Sequence, residues 1–158
     1  MLNSFIYETP IGKVIIFDNG KAITKLDFCK NKHTPTESCC QNKETALLKS
    51  AAAQLKEYFA GQRTLFDLPL EPAGTDFQKA VWRALVGIPY GQTKSYKDIA
   101  LAAGCPKGYR AVGMANNKNP IAIIIPCHRV IGSNGKLVGY AGGLDIKEKL
   151  LKLEQACV

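Results

Sequence analysis

Only two histidines occur in the 158 residues, His33 and His128, and the second directly follows a cysteine in Pro126-Cys127-His128-Arg129-Val130. A thiol beside an imidazole is a candidate nucleophile and base, because the thiolate is the reactive form and a cationic neighbour lowers a cysteine's pKa. The pentapeptide follows the β-branched run Ile121-Ala122-Ile123-Ile124-Ile125. On an extended strand adjacent side chains point apart, so contact between the pair needs a turn or a bridging water. The ordinary structural reading of these residues is a buried cysteine beside a core histidine. Two histidines exclude a multi-histidine metal centre. Cys29, His33, Cys39 and Cys40 cluster, but their spacing fits none of the usual zinc patterns and the chain has no CxxC pair, so no metal or cofactor is expected.

The elements that must position this pair follow from periodicity and turn signals. Ser4-Phe5-Ile6-Tyr7, Lys13-Val14-Ile15-Ile16-Phe17 and Ala22-Ile23-Thr24-Lys25-Leu26 are β-rich runs separated by Thr9-Pro10-Ile11-Gly12 and Asp18-Asn19-Gly20. Residues 28–42 read as a polar loop. Leu47, Leu48, Ala51, Leu55, Tyr58 and Phe59 share one face of a helix over 44–59. Thr75 with Gln78, Ser95 with Asp98 and Asp145 with Glu148 have the spacing of capping boxes and open helices at about 76–86, 96–103 and 146–155. Gly104-Cys105-Pro106-Lys107-Gly108 breaks the second from a further helix over 109–116, the shape of a helix-turn-helix. The fold expected is α/β: a first domain, 1–72, with a three-stranded antiparallel sheet and one helix, and a helical second domain, 73–158.

Charge separates the halves. Residues 1–76 carry 9 basic and 9 acidic side chains, whereas 77–158 carry 12 basic and 4 acidic, so the whole net charge of +8 lies in the second half. Such a half can hold a polyanion through counterion release, or simply present a solvated basic surface. The apolar fraction of 46% excludes disorder, and no stretch reaches membrane-spanning length. Met1-Leu2-Asn3-Ser4-Phe5 lacks the basic flank and apolar core of a secretory signal. The expectation is a soluble intracellular protein, cytoplasmic or, in a eukaryote, nuclear, with its six cysteines reduced.

Thr75 to Glu154 resembles the O6-alkylguanine-DNA alkyltransferases (methylated-DNA–protein-cysteine methyltransferases). The resemblance rests on the Cys127 pentapeptide, Arg110-Ala111-Val112-Gly113-Met114-Ala115-Asn116-Asn117, Asn119-Pro120 and Gly139-Tyr140-Ala141-Gly142-Gly143-Leu144, in the family's order and spacing. Residues 1–74 match only in general character. The resemblance implies a ribonuclease-H-like first domain, a winged-helix-like second domain and a protein used once, whose Cys127 keeps the alkyl group taken from guanine O6 and also accepts it from O4-alkylthymine. It implies His128 as base through a water, Glu154 as the carboxylate orienting it, and Asn119 as a hinge.

The substrate implied is double-stranded DNA bearing O6-alkylguanine, bound by a monomer through the minor groove with the base flipped out. Arg110 is then the finger filling the vacated stack, and Ala111 permits close approach. Tyr96 donates to guanine N3, Tyr140 lines the pocket, the Ala141 amide donates to O6, and the carbonyls of Cys127 and Val130 accept from the exocyclic amine. Lys97, Ser133 and the Cys105-Pro106-Lys107 turn contact DNA, mostly at phosphates.

Two departures from the family pattern stand out: Ala122 where many members carry proline or serine, and Phe5 in a first strand without the cysteine that zinc-binding relatives use. Cys157 is expected to be exposed. The competing readings are a DNA-binding module without chemistry and a cysteine hydrolase. Non-catalytic relatives replace the motif cysteine, and nothing in the sequence marks the oxyanion hole a hydrolase needs.

Overall fold

The computed structural model describes residues 2–29, 40–137, 140 and 142–156. The chain divides into two compact units, Met1–Pro72 and Ala73–Val158.

In the first unit β1 (Leu2–Thr9), β2 (Gly12–Asp18) and β3 (Ile23–Phe28) form the expected antiparallel meander, and β4 (Cys40–Asn42) adds a parallel edge strand beside β1. The order is β3-β2-β1-β4. β4 falls in the stretch read from sequence as loop; a three-residue edge strand is held by backbone pairing and needs no alternation of apolar residues. Val14, Ile15, Ile16 and Phe17 are buried in the central strand β2, and α1 (Ala46–Phe59) buries Leu48, Ala51, Leu55 and Tyr58. Thr45 caps α1 by accepting from the Leu48 amide and donates its hydroxyl to the buried Asp18, which also accepts from Asn3 Nδ2 at 2.8 Å.

The second unit runs α2 (Asp76–Val86), β5 (Lys94–Ser95), α3 (Tyr96–Ala102), α4 (Tyr109–Asn117), a 3-10 turn (Cys127–Arg129), β6 (Val130–Ile131) and α5 (Leu144–Ala156). Both expected capping boxes at Thr75/Gln78 and Ser95/Asp98 are closed. The third is corrected: α5 begins at Leu144, because the Lys147 amide already bonds to the Gly143 carbonyl, so Asp145 lies inside the first turn rather than capping it. α3 ends in a Schellman motif, in which Cys105 N–H reaches the Ala100 carbonyl and Gly104 N–H that of Leu101, with Gly104 at φ +78°. That turn sends the chain into α4, completing the helix-turn-helix. Trp82 on α2 donates Nε1–H to the Ala115 carbonyl of α4 at 2.9 Å, and Val81, Leu85, Ile99 and Val112 close the core between the helices.

The β-branched run over 121–125 does not form a strand. Ile124 N–H bonds to the Ala122 carbonyl across Ile123 at φ 70°, a γ-turn at a β-branched residue, and Cys127 N–H bonds to the Ile125 carbonyl across Pro126 at φ −81°, ψ 63°, an inverse γ-turn. A left-handed isoleucine costs about 1–3 kcal/mol. The burial of Ile121, Ile123, Ile124 and Ile125 opposes that cost, so the apolar run anchors a compact turn instead of pairing in a sheet.

Thr75→Ala and Ser95→Ala should each cost about 1 kcal/mol of the second unit's stability, and the double variant close to the sum, since the two caps share no partner. Denaturant unfolding followed by the fluorescence of Trp82, the single tryptophan, reads this directly.

Candidate active site

The two γ-turns deliver Cys127 to the start of the 3-10 turn, where it is 4% exposed. The side chain of Asn119 holds the approach in place: Nδ2 donates to the carbonyls of Ile125 at 2.8 Å and Ile121 at 3.3 Å, while Oδ1 accepts from the Ile121 amide at 3.0 Å. Asn119 and the Tyr140 hydroxyl lie beside the Cys127 sulfur and favour its ionised form. Burial pushes the Cys127 thiol up to about 11, against the pull of Asn119, the Lys147 ammonium and Tyr140. At neutral pH the resting group is therefore a thiol, and a base must remove its proton.

His128, fully buried, places Nε2 2.6 Å from Glu154 Oε2. A carboxylate only accepts, so the imidazole proton sits on Nε2 and Nδ1 carries the lone pair. Burial holds the His128 pKa below the usual imidazole value, reinforced by the charges of Arg129 and Lys147 and opposed by Glu154. The ring is thus a neutral base at physiological pH. Nδ1 is buried without a hydrogen-bond partner among the described residues.

Glu154 is 1% exposed and shared. Arg129 reaches it with Nε at 2.7 Å and Nη2 at 3.2 Å, and the Gly91 amide adds a 3.4 Å contact. Arg129 spends its remaining nitrogen on the Ile88 carbonyl at 2.7 Å and lies 5.6 Å from the centre of the Tyr90 ring. Glu154 is therefore brought to His128, and Asn119 to Cys127, while the thiol and the imidazole are carried by successive residues of one 3-10 turn.

The β5–β6 pairing, Lys94 opposite Val130 and Ser95 opposite Ile131, carries Tyr96 to the same place. Tyr96 is half-buried, and its hydroxyl pKa is raised by burial and by the nearby Cys127. Burial and the same thiol raise that of Tyr140. The Val130 carbonyl accepts from Lys147 Nζ at 2.5 Å, and the Cys127 carbonyl from Asn116 Nδ2 at 3.4 Å and the Val130 amide. The Val130 oxygen keeps a second lone pair for another donor, whereas the Cys127 oxygen already meets two and takes a further one only where the long Asn116 contact yields. Ala141 lies outside the described residues, as do His33, Cys39 and Cys157. Among the described residues no three histidine, cysteine, aspartate or glutamate side chains group as a metal site requires.

Arg110, Ala111, Lys97 and Ser133 are exposed and Cys105 is half-buried. Arg110 and Ala111 lie in the first turn of α4, whose opposite face buries Val112, Ala115 and Asn116. Gly113 faces Tyr96: a Cβ there would stand 3.7 Å from that ring.

Sequence reasoning assigned no role to Lys147, Arg129 or Asn116. Lys147, Leu150, Leu151 and Glu154 form one buried stripe at i, i+3, i+4 and i+7 of α5. Two charged residues on an otherwise apolar stripe are a readable signal. Burial pushes the Lys147 pKa down to about 8, opposed by the neighbouring Cys127.

Comparison with known proteins follows the same two units. The family described as 6-O-methylguanine DNA methyltransferase, DNA binding domain, matches residues 76–156, and that described as 6-O-methylguanine DNA methyltransferase, ribonuclease-like domain, matches residues 4–72. The chain is 57% identical over 150 residues to a methylated-DNA–protein-cysteine methyltransferase of Methanosarcina barkeri, covering 95% of each. It is 49% identical over 152 residues to the constitutive one of Bacillus subtilis, covering 94% of this chain and 92% of that one. The crystal structure of Mycobacterium tuberculosis OGT in complex with DNA superposes with a TM-score of 0.90 at 44% identity, covering 99% of this chain and 94% of that chain.

The raised thiol makes a testable statement about Cys127. Between pH 7 and 10 its carbamidomethylation by iodoacetamide, read on its own peptide by mass spectrometry, should accelerate by about tenfold per pH unit, because only the thiolate reacts. Lys147→Met should slow it further, and a plateau below pH 9 would contradict the assignment. Glu154→Leu should cost about 3–5 kcal/mol in unfolding experiments, since Arg129 is left buried without its carboxylate.

Proposed function

The chain belongs to the 6-O-methylguanine DNA methyltransferase family, and from that premise we propose how its residues divide the work of direct-reversal DNA repair. The reaction moves the alkyl group from damaged DNA to a cysteine of the protein itself, without turnover. The observation that carries the assignment to Cys127 is its buried thiol, one residue before a buried imidazole bound to a carboxylate.

The substrate is duplex DNA bearing O6-alkylguanine, and O4-alkylthymine is a second one. A base in the stack cannot present its alkyl carbon to a thiol that is 4% exposed, so the nucleotide is rotated out at a cost of a few kcal/mol. Arg110, exposed at the start of α4, enters the duplex in its place, and Ala111 leaves room for the helix in the minor groove. Lys97, Ser133 and the turn around Cys105 hold phosphates and carry no sequence information. One protomer suffices, in the cytoplasm or, in a eukaryote, the nucleus, and no cofactor takes part.

In the pocket, the carbonyls of Cys127 and Val130 accept from the exocyclic amine, Tyr140 lines the wall, and the Ala141 amide donates to O6. The Cys127 proton passes through a water to His128 Nδ1, and Glu154 stabilises the imidazolium that forms. The thiolate attacks the alkyl carbon in line with the C–O6 bond. The S–C bond forms, the C–O6 bond breaks with its electron pair remaining on O6, and Tyr96 donates to N3 as charge develops on the leaving base. The raised Tyr96 pKa supports this role, since a phenol that resists ionisation stays a donor. Asn119 keeps the turn in register through the displacement.

Incubation with a duplex containing O6-methylguanine should add one methyl per protein, localised by peptide mass spectrometry to Cys127. Cys127→Ser should add none, and more than one product per chain would point instead to a hydrolase. The methylated protein should melt several degrees lower, because the new methyl enters a site already filled by the groups around the sulfur. Binding should weaken with salt on a log–log plot, and Arg110→Ala should lower the transfer rate from duplex while sparing transfer from free O6-methylguanine base.

A further inference from the structure

Two buried acceptors beside the Cys127–His128 peptide have no hydrogen-bond partner among the described residues, and the relay as it stands supplies a donor to only one of them. One is His128 Nδ1, the other Asn116 Oδ1, and both are shielded from solvent. A buried acceptor left unpaired costs about 1–3 kcal/mol, so two within one small region mark a place where a donor is held.

Both belong to groups set against the single peptide that joins Cys127 to His128. Asn116 is 1% exposed and directs Nδ2 at the carbonyl oxygen of that peptide, 3.4 Å away. The carbonyl can only accept, which fixes the amide's orientation and leaves Oδ1 as the free end. The two heteroatoms of an amide are about 2.2 Å apart, so Oδ1 lies within about 5.6 Å of the Cys127 oxygen. His128 carries its imidazole from the other side of the same peptide. With Nε2 committed to Glu154, Nδ1 is its one remaining polar atom.

We infer that Asn116 is a positioning residue for alkyl transfer: its Oδ1 and His128 Nδ1 together hold the water that relays the Cys127 proton. The inference rests on the relay proposed above and adds its third partner. A water has two protons to donate, and its oxygen can accept one from the thiol. Donating one to Nδ1 and the other to Oδ1, it makes the three bonds typical of a buried water and satisfies both orphaned acceptors. In the transfer the S–H bond breaks as an O–H bond forms on the water, and the O–H bond directed at Nδ1 breaks as N–H forms there. The proton held by Asn116 stays in place. Asn116 therefore decides which proton of the water moves, and its position on α4 ties that choice to the helix that carries Arg110.

The test is the single-turnover rate of methyl transfer from an O6-methylguanine duplex to Cys127, measured by rapid quench from pH 6 to pH 10 for wild type, Asn116→Ala and Asn116→Ser. The alanine variant should lose about 10–100-fold at pH 7. The loss should shrink to within about threefold by pH 10, where hydroxide forms the thiolate without the relay. Serine, which keeps an acceptor oxygen, should recover part of the rate at pH 7, and carries the comparison if the alanine variant does not fold. A deficit equal at every pH, or none at all, overturns the inference and leaves Asn116 a packing residue. If instead wild-type Cys127 takes no methyl, the functional reading itself fails, an outcome recognisable without any Asn116 variant.

Discussion

The second unit depends on one buried carboxylate. Glu154 accepts from His128 on one oxygen and from Arg129 across both, and Arg129 in turn fastens the Ile88 carbonyl. Removing two charges from water costs several kcal/mol each unless every lone pair and proton is matched, and here the matching is nearly complete. The same arrangement chooses the tautomer of His128, so the interaction that makes the burial tolerable is also the one that leaves Nδ1 able to take a proton. Structure and chemistry cannot be separated at this residue.

Around Cys127 the physical requirements oppose one another. Excluding water strengthens every electrostatic contact and raises the thiol's pKa at the same time. The site answers with the polar groups of Asn119 and Tyr140 beside the sulfur, and with the buried ammonium of Lys147. These lower the cost of the thiolate without forming it in the resting state. A nucleophile that is consumed on first use gains from this restraint, because a free thiolate would react with any electrophile it met.

The route to that position is strained. A left-handed isoleucine and two successive γ-turns are unusual backbone, stabilised by four buried isoleucine side chains and by Asn119, which closes three hydrogen bonds with the main chain. Because Asn119 also lies beside the sulfur, any enlargement of that sulfur acts on the hydrogen bonds that hold the turn. α4 feels the same site through Asn116.

Much of this was legible in the amino-acid order. The hairpin runs, the helix faces, two of the three capping boxes and the break between α3 and α4 follow from local backbone and side-chain preferences, which act over a few residues and survive into the fold. The adjacency of Cys127 and His128, the basic second half and the motifs of the family are likewise properties of the linear chain. The 121–125 run was not legible as a turn, because β-branched residues favour a strand wherever nothing opposes it; their burial and the hydrogen bonds of Asn119 decide otherwise. Glu154 comes to His128 across 26 positions and Lys147 to Val130 across 17, distances over which sequence carries no geometric information. The sequence by itself determined which groups are available and how reactive their types are. Only the tertiary structure decided their protonation and their partners, since both depend on burial and on charges brought together by the packing of α5 against the turn.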